Sequence, residues 1–177
     1  MIQIYCGDGK GKTTAALGLA VRAAGREKRV LIARFLKTDD SGEVPVLSGI
    51  PGIQVMPCKK TFGFYFRMTD QQKKEAADYY SHQFEEVKAQ AEEFDLVILD
   101  EIMAACNYQL VSEDAVVQWL KQQKEQDVHD LEIVLTGRNP SLRIQELADY
   151  ITEMKMIRHP YEKGISRSEE RRVGKEC

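Results

Sequence analysis

Eight consecutive residues, Gly7-Asp8-Gly9-Lys10-Gly11-Lys12-Thr13-Thr14, follow directly on the apolar run Ile2 to Cys6 and carry the densest chemistry in the chain. Glycines at alternate positions let a backbone curl until successive N–H groups converge on one anion, and Lys12 adds a mobile positive charge. Thr13 brings a hydroxyl suited to a magnesium ion. The widespread phosphate-loop pattern G-x-x-x-x-G-K-[ST] is met by Gly11-Lys12-Thr13, while Cys6 stands where its first glycine belongs and Gly7 and Gly9 supply the freedom instead. The Ala-rich stretch Thr13 to Ala24 has helical spacing. The loop would therefore deliver a phosphate to a helix N-terminus, where unpaired N–H groups and the dipole favour negative charge. A surface turn of the same composition has no reason to lie between a strand and an apolar helix, so residues 7–14 read as a nucleotide-binding loop.

Two acids, Asp100-Glu101, end the apolar run Phe94 to Leu99. Next to a phosphate loop, a strand ending in carboxylates presents them to magnesium, and Thr13 would share the metal with one of these acids. Their strand is expected beside that of the loop. Arg138, in Thr136-Gly137-Arg138, leaves another strand at the same sheet edge and is a candidate phosphate clamp. The segment Thr61-Phe62-Gly63-Phe64-Tyr65-Phe66-Arg67 puts four aromatics into a region that otherwise reads as loop. Two readings stand for it. One is a short edge strand packing Phe62, Phe64 and Phe66 on the core; the other is a mobile flap over a large, flat, apolar ligand beside the nucleotide.

Strands alternate with helices along the chain. After Ile2 to Cys6 and the first helix, Val30 to Phe35 reads as a second strand, Lys37 to Pro51 as loop, and Ile53 to Met56 as a third strand. Thr69-Asp70-Gln71-Gln72 has the form of a capping box before a long helix, Asp70 to Glu93. Phe94 to Leu99 is a fully buried strand, Ser112 caps a helix containing Val116, Val117, Trp119 and Leu120, and Leu131 to Thr136 is a further strand. A short helix over Leu142 to Asp149 and a last strand from Tyr150 to Ile157 complete a doubly wound, mainly parallel α/β sheet of the P-loop NTPase, RecA-like type.

The 177 residues suit one domain, placed at residues 1–165, and a hydrophobic fraction of 43% supports a single core. A net charge of −3 argues against a nucleic-acid backbone as partner. No apolar stretch approaches the roughly 20 residues that span a bilayer, and no secretion signal precedes Gly7, so a cytoplasmic location is expected. Cys6, Cys58, Cys106 and Cys177 are scattered without zinc-ligand spacing, with Cys6 and Cys106 read as small buried side chains. His82, His129 and His159 are isolated, and none belongs to a nucleophilic constellation. Residues 166–177 crowd Arg167, Glu169, Glu170, Arg171 and Arg172 with almost nothing apolar, and read as an unstructured or non-native tail.

Taken in order, the loop Gly7 to Ala16, Arg34-Phe35-Leu36-Lys37, Gly63-Phe64-Tyr65-Phe66, Leu99-Asp100-Glu101, Thr136-Gly137-Arg138, Leu147-Ala148-Asp149 and His159-Pro160-Tyr161 resemble the P-loop type of ATP:corrinoid adenosyltransferases. The resemblance covers Met1 to about Ile165, and its loop pattern accounts for Cys6. It implies that ATP is a co-substrate with Mg2+ (or Mn2+), and that the corrinoid, cob(I)alamin or cob(I)yrinic acid a,c-diamide, is the substrate. Co(I) attacks the ribose 5′-carbon and triphosphate leaves. It further implies a homodimer, an electron delivered by a flavodoxin-like or other reductase, and an aromatic loop, here Phe64 and Phe66, that displaces the lower axial ligand of cobalt. The sequence departs from the family pattern at Phe66, where tryptophan is usual, and at Arg67, where an acid is usual. It also begins almost at its first strand, without the N-terminal extension that covers the site in some relatives.

On the phosphate loop alone, a small-molecule kinase or a RecA-like ATPase would serve as well. The kinase wants an arginine-rich lid, which the stretch from Asp100 to Leu131 lacks, and the nucleic-acid-dependent ATPase wants a basic face. On the adenosyltransferase reading, Lys12, Phe64, Phe66 and Arg138 carry the reaction, Gly7 to Thr14 hold the nucleotide, and Thr13, Asp100 and Glu101 hold the metal.

Overall fold

A computed structural model describes residues 1–60, 62–125 and 130–158. Thr61, His129, His159-Pro160-Tyr161, Cys177 and the tail 166–177 lie outside the described residues. The elements are β1 (Ile2–Cys6), α1 (Lys12–Ala24), β2 (Val30–Arg34), α2 (Glu43–Ser48), β3 (Ile53–Val55), α3 (Asp70–Gln90), β4 (Leu96–Asp100), α4 (Ile102–Asn107), α5 (Glu113–Glu125), β5 (Glu132–Thr136), α6 (Leu142–Gln145) and β6 (Tyr150–Glu153).

The strands form one six-stranded sheet in the order β3-β2-β4-β5-β1-β6, and every pairing is parallel. Alternation along the strands sends Ile2, Ile4, Leu31, Ala33, Val97, Leu99, Ile133 and Leu135 into a core shared with Phe84, Val116 and Trp119. Val30, Ile32, Leu96, Ile98 and Val134 pack on the opposite face against Ala16 and Ala20 of α1 and Leu47 of α2. A parallel sheet covered on both faces needs this near-continuous apolar character, and β2 and β4 are buried at every position. The fold is the doubly wound, RecA-like α/β class.

Several local expectations are corrected. The stretch from Lys37 to Pro51 is not all loop: α2 forms within it, its proline at the third helical position, where a missing N–H costs nothing. A second short helix, α4, follows Glu101 directly, too brief to leave a periodic signal. The long helix stops at Gln90 and a turn of 3-10 helix covers Ala91–Glu93. The last strand is only Tyr150–Glu153, and α6 ends at Gln145. The acid-bearing strand β4 is not the neighbour of β1, since β5 lies between them. The chain leaves β1, crosses the sheet to β2 and β3, and returns through β4 and β5, which opens a crevice at the carboxyl ends.

Candidate active site

The phosphate loop joins β1 to α1, and its glycines answer to a neighbour. A Cβ on Gly7 would lie 2.4 Å, and one on Gly9 2.6 Å, from the carbonyl oxygen of Met154, just past β6. The Gly9 N–H donates to that oxygen at 2.7 Å, and the Met154 N–H donates to Cys6 at 2.8 Å. Asp8 faces the same strand exit, its carboxylate accepting from the Met156 N–H at 3.0 Å. Side chains larger than hydrogen at positions 7 and 9 would therefore push the loop off the sheet. Gly11 caps α1 in a left-handed conformation, φ 112°, with no side-chain hydrogen bond, and no acid lies in the first turn. The N–H groups and positive dipole end of α1 thus face the loop with no acid in the helix's own first turn. Lys12 lies in this cradle, its Nζ donating to the carbonyls of Gly7 at 2.8 Å and Gly9 at 2.9 Å. Lys10 and Thr14 lie exposed on the rim.

Of the two acids Asp100 and Glu101, the structure brings Asp100 against Thr13. Its carboxylate is wholly buried; one oxygen accepts from Thr13 Oγ1 at 2.9 Å and Thr136 Oγ1 at 2.7 Å. The other accepts from Lys37 Nζ in a close ion pair, and the same ammonium donates to Thr13 Oγ1 at 2.9 Å. Glu101 follows in a left-handed conformation, φ 61°, its N–H donating to Thr136 Oγ1 at 2.9 Å. Burying a carboxylate costs heavily unless it is paired and hydrogen-bonded, and each Asp100 oxygen is satisfied.

Arg138 leaves β5 at the same edge, its guanidinium exposed and unpaired among the described residues. Its carbonyl accepts from Asn107 Nδ2 at 3.1 Å, which ties the end of α4 to this turn. The residue after Asn107 is Tyr108, whose ring stacks on Tyr65 with centroids 4.3 Å apart and planes 7° from parallel. Phe66 meets Tyr108 edge to face at 5.6 Å. The aromatic segment is no edge strand. A single 3-10 turn, Tyr65–Arg67, divides its side chains: Phe62 and Tyr65 pack against the core, while Phe64 and Phe66 are 76% and 82% exposed. Of the two readings, the edge strand that packs Phe62, Phe64 and Phe66 on the core fails, because the turn breaks the alternation.

Sequence reasoning gave no role to Lys37, Thr136, Arg34 or Tyr108. Lys37 and Thr136 stand at the ends of β2 and β5, on either side of β4, where polar residues after buried strands converge on Asp100. Arg34 is wholly buried; it donates to Thr38 O at 2.8 Å and pairs with Asp39. Asp39 in turn accepts from the Cys58 N–H at 2.9 Å, at the entrance to the aromatic segment. Burial raises the Cys58 thiol and that of Cys6, and pushes the Cys106 thiol up to about 12, so the described cysteines stay protonated and poorly nucleophilic.

The sequence matches the family described as ATP:corrinoid adenosyltransferase BtuR/CobO/CobP over residues 1–170. A corrinoid adenosyltransferase of Escherichia coli K12 is 32% identical over 93% of this chain and 81% of its own length. The corrinoid adenosyltransferase CobA of Salmonella typhimurium is 30% identical over the same shares, and one from Sinorhizobium is 30% identical over 93% and 76%. Among solved structures, a KaiC-like protein of Pyrococcus horikoshii superposes with a TM-score of 0.51 at 16% identity, over 87% of this chain and 70% of that one, a likeness of fold. With a phosphate loop at one strand end, an acid–hydroxyl corner at another and outward phenylalanines along the same edge, and with the family match running almost from end to end, the chain belongs to the ATP:corrinoid adenosyltransferases.

Proposed function

We propose that this chain transfers the 5′-deoxyadenosyl group of ATP to the Co(I) centre of a corrinoid and releases triphosphate. The cobalt lone pair forms the Co–C5′ bond as the C5′–O bond breaks, and that electron pair leaves on the triphosphate oxygen. The protein supplies no nucleophile. Its tasks are to hold the reactants in line and to stabilise the charge on the departing triphosphate. Lys12, the loop N–H groups of residues 7–14 and the start of α1 perform the second task, with Arg138 as a further cation at the edge.

Thr13 and Asp100, with Glu101 beside them, offer hard oxygen donors of the kind Mg2+ takes from a protein when phosphates complete its shell. That an ammonium already lies between Thr13 and Asp100 supports a corner built for a cation. When bound there, Mg2+ (or Mn2+) offsets triphosphate charge.

The observation that carries the corrinoid half is the outward pair Phe64 and Phe66, large apolar rings left in water by a segment whose other aromatics are anchored. They form the apolar face against which the corrinoid's lower axial ligand is displaced, which eases reduction of cobalt. A homodimer in the cytoplasm, with its electron supplied by a flavodoxin-like or other reductase, completes the proposal; among the described residues no helix is long and apolar enough to cross a membrane. Product analysis of ATP with Mg2+ and chemically reduced cobalamin tests it. Adenosylcobalamin with triphosphate is expected. ADP with a phosphorylated acceptor would make the protein a kinase, and ADP with phosphate an ATPase.

A further inference from the structure

We infer that Lys37 is the resident cation of the metal corner, so that loading the site with Mg2+ is a cation exchange in which the Lys37 ammonium gives up its seat between Asp100 and Thr13. The inference rests on the proposed function only in taking Thr13 and Asp100 as the metal's oxygens.

Three observations carry it. Lys37 touches both atoms a phosphate-loop metal would use: its Nζ pairs with the Asp100 oxygen that no hydroxyl satisfies, and it donates to Thr13 Oγ1 at 2.9 Å. Asp100 is wholly buried while the Lys37 side chain is 23% exposed, so the carboxylate is fixed and the cation has a way out. The backbone is set to place it there. Leu36 adopts φ 57°, a left-handed conformation costly for a branched side chain, and turns the chain just after β2. The Phe35 N–H donates to the Asp100 carbonyl at 2.9 Å, and the buried Arg34 holds Thr38 and Asp39 beyond Lys37. A lysine serving only as surface charge would need neither a strained neighbour nor a pinned loop on both sides.

The consequence is an oxygen cluster that stays neutralised and ordered without metal. Removing the ammonium leaves a buried, uncompensated carboxylate, and a divalent cation should then repair what the substitution broke.

The test measures melting and Mg2+ affinity of the full chain without ATP or corrinoid, for the parent and for Lys37→Met, which keeps the stem and removes the charge. The parent should melt at the same temperature with and without millimolar Mg2+. Lys37→Met should melt lower by about 5 °C or more without metal. It should recover most of that loss with Mg2+ but not with potassium at equal ionic strength, and calorimetry should show it binding Mg2+ at least tenfold more tightly than the parent. A variant indifferent to Mg2+, or one that binds it no better than the parent, overturns the inference. If Lys37→Met does not fold without metal, Lys37→Met/Asp100→Asn, with both charges gone, should fold and ignore Mg2+; a double variant that fails to fold or still responds to Mg2+ overturns it equally. Because no measurement involves nucleotide or cobalt, failure here and failure of the adenosylation assay are separate results.

Discussion

Two lysine–carboxylate pairs lie in the two halves of the candidate site, and they have opposite characters. Lys37–Asp100 sits in the nucleotide corner with its acid wholly buried and both acid oxygens occupied. Lys60–Glu75 fastens the entrance of the aromatic segment to α3 at 3.0 Å, with its side chains 52% and 44% exposed. The first half is polar groups locked inside; the second is apolar rings held outside by a few aromatic anchors. A charge that must be stabilised as triphosphate departs gains from fixed, desolvated partners, because nothing then reorganises during the reaction. On the proposed function, a face that receives a bulky substrate gains from rings left exposed to solvent.

The largest effect expected from that contrast is on Lys12. Lys12→Met removes one positive charge from the phosphate cradle and should lower adenosylation about a thousandfold, with folding by circular dichroism intact. A folded variant turning over at the parental rate would take the charge-stabilising role away from this loop.

Within the aromatic segment, the next prediction sets neighbours against one another. Phe64→Ala and Phe66→Ala should melt within about 2 °C of the parent, as exposed positions do. They should lose most activity when Co(II) corrinoid is supplied with a protein reductant, and regain much of it when Co(I) is generated chemically. Phe62→Ala should do the reverse. Its ring packs on Tyr79 at 5.7 Å and Tyr80 at 5.8 Å, and its truncation should cost about 1–3 kcal/mol. Spectra of bound Co(II) corrinoid with ATP report whether the four-coordinate species forms. If Phe64→Ala and Phe66→Ala melt early and leave those spectra unchanged, the division of the segment is wrong.

Tyr108 joins the halves, since it extends from the helix that follows Asp100-Glu101 and stacks on Tyr65. Tyr108→Ala should cost about 1 kcal/mol of ring contact and impair the same cobalt spectra without changing ATP affinity. A fall in ATP affinity with normal spectra would place Tyr108 in the nucleotide corner instead.

How much of this the sequence disclosed follows the same divide. Gly7 to Thr14 and Asp100 were legible because a phosphate loop demands particular residue types at fixed spacing, and a buried strand ending in an acid is rare without a cation. The part Lys37 and Thr136 play around Asp100 was not, although both stand in segments that carry the resemblance, because it is set by the three-dimensional meeting of β2, β4 and β5 ends, and a strand order with β5 between β4 and β1 is not written in local spacing. The aromatic segment gave its composition but not its geometry. One 3-10 turn decides which of Phe62, Phe64, Tyr65 and Phe66 face water, and periodicity carries no signal over so few residues. The helices α2 and α4, six residues each, escaped for the same reason.

The smallest effect belongs to the exposed pair, and it tests whether the aromatic segment is held by contact or by charge. Hydrogen bonding from Lys60, with a further bond from Gln71, holds the Glu75 carboxyl below its ordinary range. A carboxyl lowered in the folded state contributes stability that is complete above its unfolded value, about 4.3, and is lost as pH falls through the lower folded value. Both side chains are about half exposed to solvent and ions, so screening and side-chain freedom take back most of the pair's attraction. Glu75→Gln should therefore shift Tm by about 1 °C or less at neutral pH and physiological salt. That difference should shrink further in high salt and vanish as pH falls through the lowered folded value, where the parent's own carboxyl becomes protonated. Lys60 also lies 4.9 Å above the Phe62 ring, a contact the substitution leaves in place. If Glu75→Gln instead destabilises the chain as much as Phe62→Ala, the segment is seated by an ion pair, and its resemblance to the buried corner would be closer than its exposure suggests.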